Sequence, residues 1–198
     1  MTHEQYLGKT LAEMISSGVT VQFNKRIYNS KHSYNFFDDE PRPKLHINYF
    51  DDELNDWFSV YVHEYCHFLQ WKKEIKKWEP FGDHMSKVNL FLDGKRKTVK
   101  IEHIRKVQEL EMDCDRKAIK QIKKFKLKID LEDYIRTSNL YIYCHNFFPK
   151  YGKFFIPFTD EMLQRMPKTP LRTQHLDYKI NGLEELYAAE YNKVYKSV

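Results

Sequence analysis

The sequence has too few cysteines for a disulfide framework. It contains three, Cys66, Cys114 and Cys144, an odd number at wide spacing. Small secreted domains that rely on disulfide bonds carry many more, whereas thiols inside cells stay reduced. We therefore expect a reducing, intracellular environment, and we interpret Cys66 and Cys114 as small buried thiols that pack between helices rather than as a redox switch.

Long hydrophobic runs are also missing. No segment approaches the roughly 20 consecutive apolar residues that a membrane-spanning helix needs. The first residues, MTHEQYLGKTLAEM, carry charged side chains where a secretory signal peptide would be apolar. The sequence thus predicts a cytoplasmic protein that does not bind a membrane.

The sequence contains no internal repeat and no low-complexity tract. Apolar residues make up 41% of the 198 positions and charged residues 31%, with 6 glycines and 7 prolines, which is typical of a globular protein. A chain of this length can bury a sufficient core without disulfide bonds. We therefore predict a single domain over residues 1–198.

Acidic residues are scarce in the middle of the chain. Residues 71–128 contain 18 Lys and Arg against 9 Asp and Glu, a charge of +9, whereas the whole chain carries +5. A basic segment can bind nucleic acid, but lysines at helical spacing are more often a solvated helix face. Nucleic-acid binding through residues 71–128 is therefore a hypothesis, and we favour the solvated face.

Hydrophobic periodicity predicts several helices and a small sheet. Apolar residues three and four apart indicate helices, whereas strict alternation, as in KLHINYF at 44–50, indicates a half-buried strand. The predicted elements are a helix over 4–17 ended by Gly18, strands over 19–23 and 44–50, a long helix from Asp52 to Trp78, a hairpin within 80–99 around Asp93 and Gly94, and helices over 101–125, 131–147 (ended before Pro149) and 183–196. The second strand of the hairpin could instead be the start of the 101–125 helix.

The segment HEYCH at 63–67 has the spacing of a metal site on a helix. His63 and His67 are one turn apart and share a face, so both imidazoles can bind one metal ion. Glu64 points about 100° round the helix, where it can act as general base toward a metal-activated water. Apolar neighbours predict that this helix is buried, and a metal ion would satisfy both histidines. The alternative is an ordinary helix with two solvent-facing histidines.

A catalytic zinc ion usually has three protein ligands, so a third should follow downstream. Helical spacing places Glu111 on the inward face of the 101–125 helix. Asp115 lies one turn later on that face, where it can accept the ring N–H of a ligating histidine. Other residues could take these places: Glu109 and Asp113 form a second pair with the same spacing, and His84 or His103 could compete as third ligand.

These two motifs together resemble a known family. HExxH followed by ExxxD resembles the gluzincin branch of the zincin metallopeptidases, and EMDCDRKA at 111–118 is similar to the ExxAD-type helix of the CAAX-prenyl-protease and heat-shock membrane peptidases. The resemblance covers mainly the two motif helices. This chain differs from those membrane peptidases because it has no transmembrane helix, and from thermolysin because it has no NExxSD motif. The resemblance implies a zinc endopeptidase.

By analogy with zincins, a further side chain should stabilise the oxyanion that forms on the scissile carbonyl. The predicted helix over 131–147 offers His145 as first choice and Tyr141 as second, although YIYCHNFF can equally be an aromatic core stripe. The strand over 44–50 lies where zincins place the edge strand that pairs with an extended substrate.

The combined prediction is an α+β, zincin-like metallopeptidase domain. A small sheet packs on the HExxH helix within residues 1–125, which also carry the second metal-binding helix, and residues 126–198 form a helical C-terminal extension. One Zn²⁺ ion bound by His63, His67 and Glu111 would activate water for hydrolysis of a protein or peptide substrate, with Glu64 as general base. The alternatives are a basic nucleic-acid-associated protein and a catalytically retired zincin that acts in binding or assembly.

Overall fold

The computed structural model describes residues 1–25, 35–49, 54–177 and 179–196, with the side chains of residues 54–56 and 77 outside the description. This part of the chain is mostly helical and contains a three-stranded sheet, which confirms the α+β class. The helices are α1 (His3–Ser16), α2 (Leu54–Lys73), α3 (Ile75–Leu92), α4 (Ile101–Phe125), α5 (Leu131–Cys144), α6 (Phe148–Tyr151), α7 (Asp160–Arg165) and α8 (Leu183–Tyr195), and the strands are β1 (Thr20–Lys25), β2 (Phe36–Asp38) and β3 (Lys44–Tyr49).

The described residues form two compact units. The first unit comprises residues 1–78 and 114–131, and the second comprises residues 79–113 and 132–198. Helix α4 therefore contributes its C-terminal half to the first unit and its N-terminal half to the second. Among the described helices, none combines the length and apolar character needed to cross a bilayer.

The sheet of the first unit has the strand order β1-β3-β2. β3 pairs in parallel with β1 and antiparallel with β2. Leu45 and Ile47 are completely buried, as the alternating pattern predicted, and Phe37 of β2 packs against Phe68 of α2. The predicted edge position of the 44–50 strand is wrong, because β3 has a hydrogen-bonded neighbour on both sides.

Helix α1 is fixed at its start and on its buried face. The Thr2 side chain accepts the backbone N–H of Gln5, and the Gln5 side chain accepts the backbone N–H of Thr2, a capping box that satisfies two N–H groups of the first turn. On the buried face, the hydroxyls of Thr10 and Tyr61 lie 2.6 Å apart and join α1 to α2. These contacts place α1 beside the helix that carries the HEYCH segment.

The predicted long helix from Asp52 to Trp78 is wrong at its C-terminal end. Helix α2 ends at Lys73 and α3 begins at Ile75, while Asp52 itself lies outside the described residues. Helical hydrogen bonds continue on both sides of the break, from Glu74 N–H to Gln70 O and from Trp78 N–H to Glu74 O. The apolar periodicity therefore continues through the break and gives no signal of it.

The predicted hairpin within 80–99 is also wrong, because VNLFL belongs to α3. Val88 packs with Ile104 and Val107 of α4 and Phe91 is also buried, whereas Leu90 is exposed, so the run is buried on one side, as a helix is. Gly94 has φ 74° and donates its N–H to Phe91 O, which makes the Asp-Gly pair a helix end rather than a hairpin turn.

The second unit also contains α5 to α8 around an aliphatic and aromatic core. Two buried amides tie its segments together: the Gln108 side chain donates to Ile142 O, and the Asn139 side chain donates to Pro167 O and Thr169 O. Helix α5 ends at Cys144 and continues as a 3-10 turn. The predicted start at Leu131 and the predicted stop before Pro149 are confirmed, although α5 ends three residues earlier than Phe147. Pro149 lies in the first turn of α6, where its missing N–H has no consequence.

Candidate metal centre

Helix α2 presents its two histidines as a converging pair. His63 and His67 are four residues apart, and their Nε2 atoms lie 3.1 Å from each other. The rings are nearly perpendicular, with centroids 4.7 Å apart. Four of the five HEYCH side chains are buried, whereas His63 is partly buried, with 17% of its side chain exposed. The pair therefore lies at the boundary between the buried helix and solvent.

An oxygen acceptor holds the other nitrogen of each ring. His63 Nδ1 lies 2.9 Å from Asp115 Oδ1, and His67 Nδ1 lies 2.8 Å from Gln70 Oε1. A carboxylate and an amide oxygen accept hydrogen bonds, so the hydrogens of both neutral rings are assigned to Nδ1. The lone pairs of both rings are then on Nε2, the arrangement found in histidines that bind metal ions.

The facing Nε2 atoms attract positive charge. Two lone pairs at 3.1 Å repel each other unless a proton or a metal ion lies between them. Burial lowers the pKa of His63, but the neighbouring Cys114 and Asp115 outweigh it, so this pKa lies well above the usual 6.5. The charges around His63 therefore favour a cation between the Nε2 atoms of His63 and His67.

Cys114 completes a group that could hold a metal ion. The three residues His63, His67 and Cys114 all belong to the first unit. Each offers one donor atom, and these three atoms lie within 4.8 Å of one another. Cys114 is completely buried, and its thiol donates to His63 O at 3.1 Å. From the sequence, this cysteine was predicted to be a packing residue and not a metal ligand. The sequence carries only a weak signal for a metal ligand at this position, because it shows no more than a cysteine, a soft donor, one residue before Asp115.

Glu64, the predicted general base, is 7% exposed and follows His63 on α2. Its neighbours Tyr61, Val62 and Tyr65 are all buried. A carboxylate in such surroundings is shielded from bulk water, which strengthens its interaction with any nearby charge. Its function as a base stays a prediction.

Glu111 belongs to the second unit and is 4% exposed. Glu109, the alternative acid, forms a surface ion pair with Lys106 at 2.8 Å and keeps 39% of its side chain exposed. The helix wheel therefore identified the inward acid correctly. Whether Glu111 binds a metal ion stays a prediction.

His145 lies in the second unit and is 2% exposed. Burial lowers its pKa, which the negative charge of Glu111 raises only in part. Its Nδ1 lies 2.9 Å from Tyr141 O and donates to it, so the neutral ring has an acceptor, not a donor, at Nε2. His145 could therefore stabilise an oxyanion through Nε2 only in its protonated form, and this function stays a prediction, as does that of Tyr141.

The two other histidines considered as third ligand contact each other. His84 and His103 lie in the second unit with their Nδ1 atoms 2.8 Å apart, so one ring donates to the other. This pair joins α3 to α4.

Comparisons of the chain with protein-family models, with curated proteins and with solved structures found no match. The candidate metal-binding group of His63, His67 and Cys114 therefore rests on the geometry of this chain alone.

Proposed function

We propose that this protein is a zinc-dependent peptidase of the zincin type, in which His63 and His67 bind the ion and Glu64 is the general base. The observation that carries the proposal is the pair of Nε2 atoms 3.1 Å apart, with both Nδ1 atoms hydrogen-bonded to oxygen. Because an oxygen atom accepts a hydrogen bond at each Nδ1, the two Nε2 atoms face each other and can share one cation, either a proton or a metal ion.

The residues present fit a zinc ion. Zinc accepts imidazole nitrogen, thiolate and carboxylate, and a catalytic site uses three protein ligands and one open position. Helix α2 supplies two of them, and α4 supplies the third. The sequence predicts Glu111 for that position, and the structure gathers Cys114 with the two histidines.

The proposed chemistry gives each of these side chains one role. Zinc supplies a Lewis acid that polarises a carbonyl group and makes a water molecule more acidic. Glu64 takes a proton from the attacking water and passes it to the nitrogen of the leaving amine. Asp115 and Gln70 keep the two imidazoles in the tautomer that leaves Nε2 able to bind a cation.

The test combines metal analysis with peptide cleavage. The purified protein is expected to contain close to one equivalent of zinc and to cleave members of a defined peptide mixture, as read by mass spectrometry. A chelator should stop the cleavage and added zinc should restore it. Glu64→Gln should keep the zinc and lose activity by about 10²–10⁴-fold, the usual contribution of a general base.

Two controls make the test decisive. Glu185→Gln, which changes an exposed glutamate on α8, should leave zinc content and cleavage unchanged and thereby exclude a co-purified peptidase. His63→Ala should lose both zinc and cleavage. A parent protein without bound zinc, or a Glu64→Gln variant as active as the parent, contradicts the proposal.

A further inference from the structure

Cys114 is the donor on α4 that the geometry of the first unit brings to the histidine pair. Its Sγ atom and the donor atoms of His63 and His67 all lie within 4.8 Å of one another. Ligands of one tetrahedral zinc ion are separated by about 3.3–3.6 Å, given Zn–N distances of about 2.0 Å and Zn–S distances of about 2.3 Å. The three atoms thus need to move by roughly 1 Å or less to bind one ion.

We propose that Cys114 binds the metal ion as a thiolate, in a His₂Cys site with His63 and His67. This inference rests on the proposed function, because it requires an ion at the histidine pair. It goes further in assigning a sulfur ligand where the sequence predicted the carboxylate of Glu111. The site then has three protein ligands and keeps one position open for water.

The position of Cys114 is fixed before any ion binds. The residue is completely buried on α4, and its thiol donates to the backbone carbonyl of His63, 3.1 Å away. The neighbouring residue Asp115 holds the ring of His63 through Nδ1. One turn of α4 therefore contributes both the sulfur atom and the acceptor that orients the imidazole.

Charge balance favours a thiolate at this place. A divalent ion among buried side chains needs nearby negative charge, since unpaired buried charge is costly. On binding, the ion displaces the thiol proton to solvent, and Cys114 contributes one negative charge. Asp115, 4% exposed, contributes the second through its hydrogen bond to His63. The two charges offset those of the ion.

Cobalt substitution distinguishes sulfur from oxygen ligands directly. Titration of the metal-free protein with Co²⁺ should give visible absorption bands of a tetrahedral site and, in the near ultraviolet, an intense thiolate-to-cobalt charge-transfer band. Cys114→Ser should lose the charge-transfer band and bind Co²⁺ and Zn²⁺ more weakly, by roughly ten-fold or more. The spectrum of the unaltered protein is informative even if a variant fails to fold.

Matched variants identify the sulfur atom. Cys66→Ser, which changes a completely buried thiol on α2, should keep the charge-transfer band. Glu111→Gln should also keep it, whereas His63→Ala should lose all bands. A parent protein that binds Co²⁺ through His63 without a charge-transfer band contradicts the thiolate ligand and leaves the peptidase proposal intact. Loss of the ion in Glu111→Gln, with full affinity in Cys114→Ser, also contradicts it.

Discussion

The carboxylate of Asp115 decides which nitrogen of His63 can bind a cation. It accepts the Nδ1 hydrogen at 2.9 Å and thereby leaves the lone pair of the ring on Nε2. Gln70 has the same effect on His67 at 2.8 Å, but through a neutral amide. The charged acceptor makes the stronger bond and also increases the basicity of its imidazole.

We therefore expect Asp115→Ala to weaken zinc binding by about 10–100-fold, the usual effect of removing such a partner. The affinity can be measured by competition with a chromogenic chelator. Asp83→Ala, which removes an exposed acid that pairs with Lys87, is the control and should bind zinc as the parent does. Equal affinity in all three proteins would show that Asp115 does not orient a ligand.

The sequence predicted some of these residues and missed others for a physical reason. His63, Glu64 and His67 follow from helical spacing alone, because a helix fixes which neighbours share a face. Cys114 approaches His63 from another helix, 51 positions away in sequence. Gln70 is local to α2, yet no motif distinguishes it from any other buried amide. Contacts between helices depend on packing, which periodicity does not encode.

Among the elements, helix ends depend on single backbone conformations. Gly182 precedes α8 with φ 70°, a left-handed conformation that costs residues with a Cβ atom roughly 1–2 kcal/mol. A Cβ atom there would also lie 2.9 Å from Arg165 Nη1, which donates to Asn181 O. Gly82 is different, because it lies exposed within α3 and a Cβ atom would have nothing within 4 Å.

These two glycines give opposite predictions for the same substitution. Gly182→Ala should lower the free energy of unfolding by about 1–2 kcal/mol, since the strain of the left-handed backbone is added to the displacement of Arg165. Gly82→Ala should raise it by about 0.5–1 kcal/mol, since alanine loses less conformational entropy in a helix. Urea unfolding followed by circular dichroism measures both. A stabilised Gly182→Ala variant would contradict this description of the start of α8.

The elements that the sequence predicted well are those with a single strong period. Helices α1, α4 and α8 begin and end within one or two residues of the prediction, because their apolar stripes run between clear breaks. The α2–α3 junction was missed because the apolar periodicity continues through it. The VNLFL run was missed because an apolar run of that length fits a helix as well as a strand. The central position of β3 was missed because strand order depends on long-range pairing.

At the scale of the whole molecule, part of the basic charge in the described residues is paired with nearby acids. Residues 71–128 carry the excess of Lys and Arg, and in the described residues six of these 18 cations form an ion pair with an acid. Alternating charges of this kind are typical of a solvated surface and weaken the field that would attract a polyanion. The described pairs are Lys72 with Glu13, Lys87 with Asp83, Lys95 with Asp93, Arg105 with Asp177, Lys106 with Glu109 and Lys117 with Glu74.

We therefore expect nucleic-acid binding no tighter than the non-specific range of about 10⁻⁴–10⁻⁶ M at physiological salt. Fluorescence anisotropy with a labelled DNA duplex and a single-stranded RNA, across a series of salt concentrations, measures it. Lys120→Glu and Lys123→Glu, on the exposed side of α4, should change the affinity no more than Lys193→Glu on α8. Submicromolar binding that the α4 variants abolish and the α8 variant keeps would instead establish the basic segment as a nucleic-acid site, because only a concentrated positive surface gives such dependence on position.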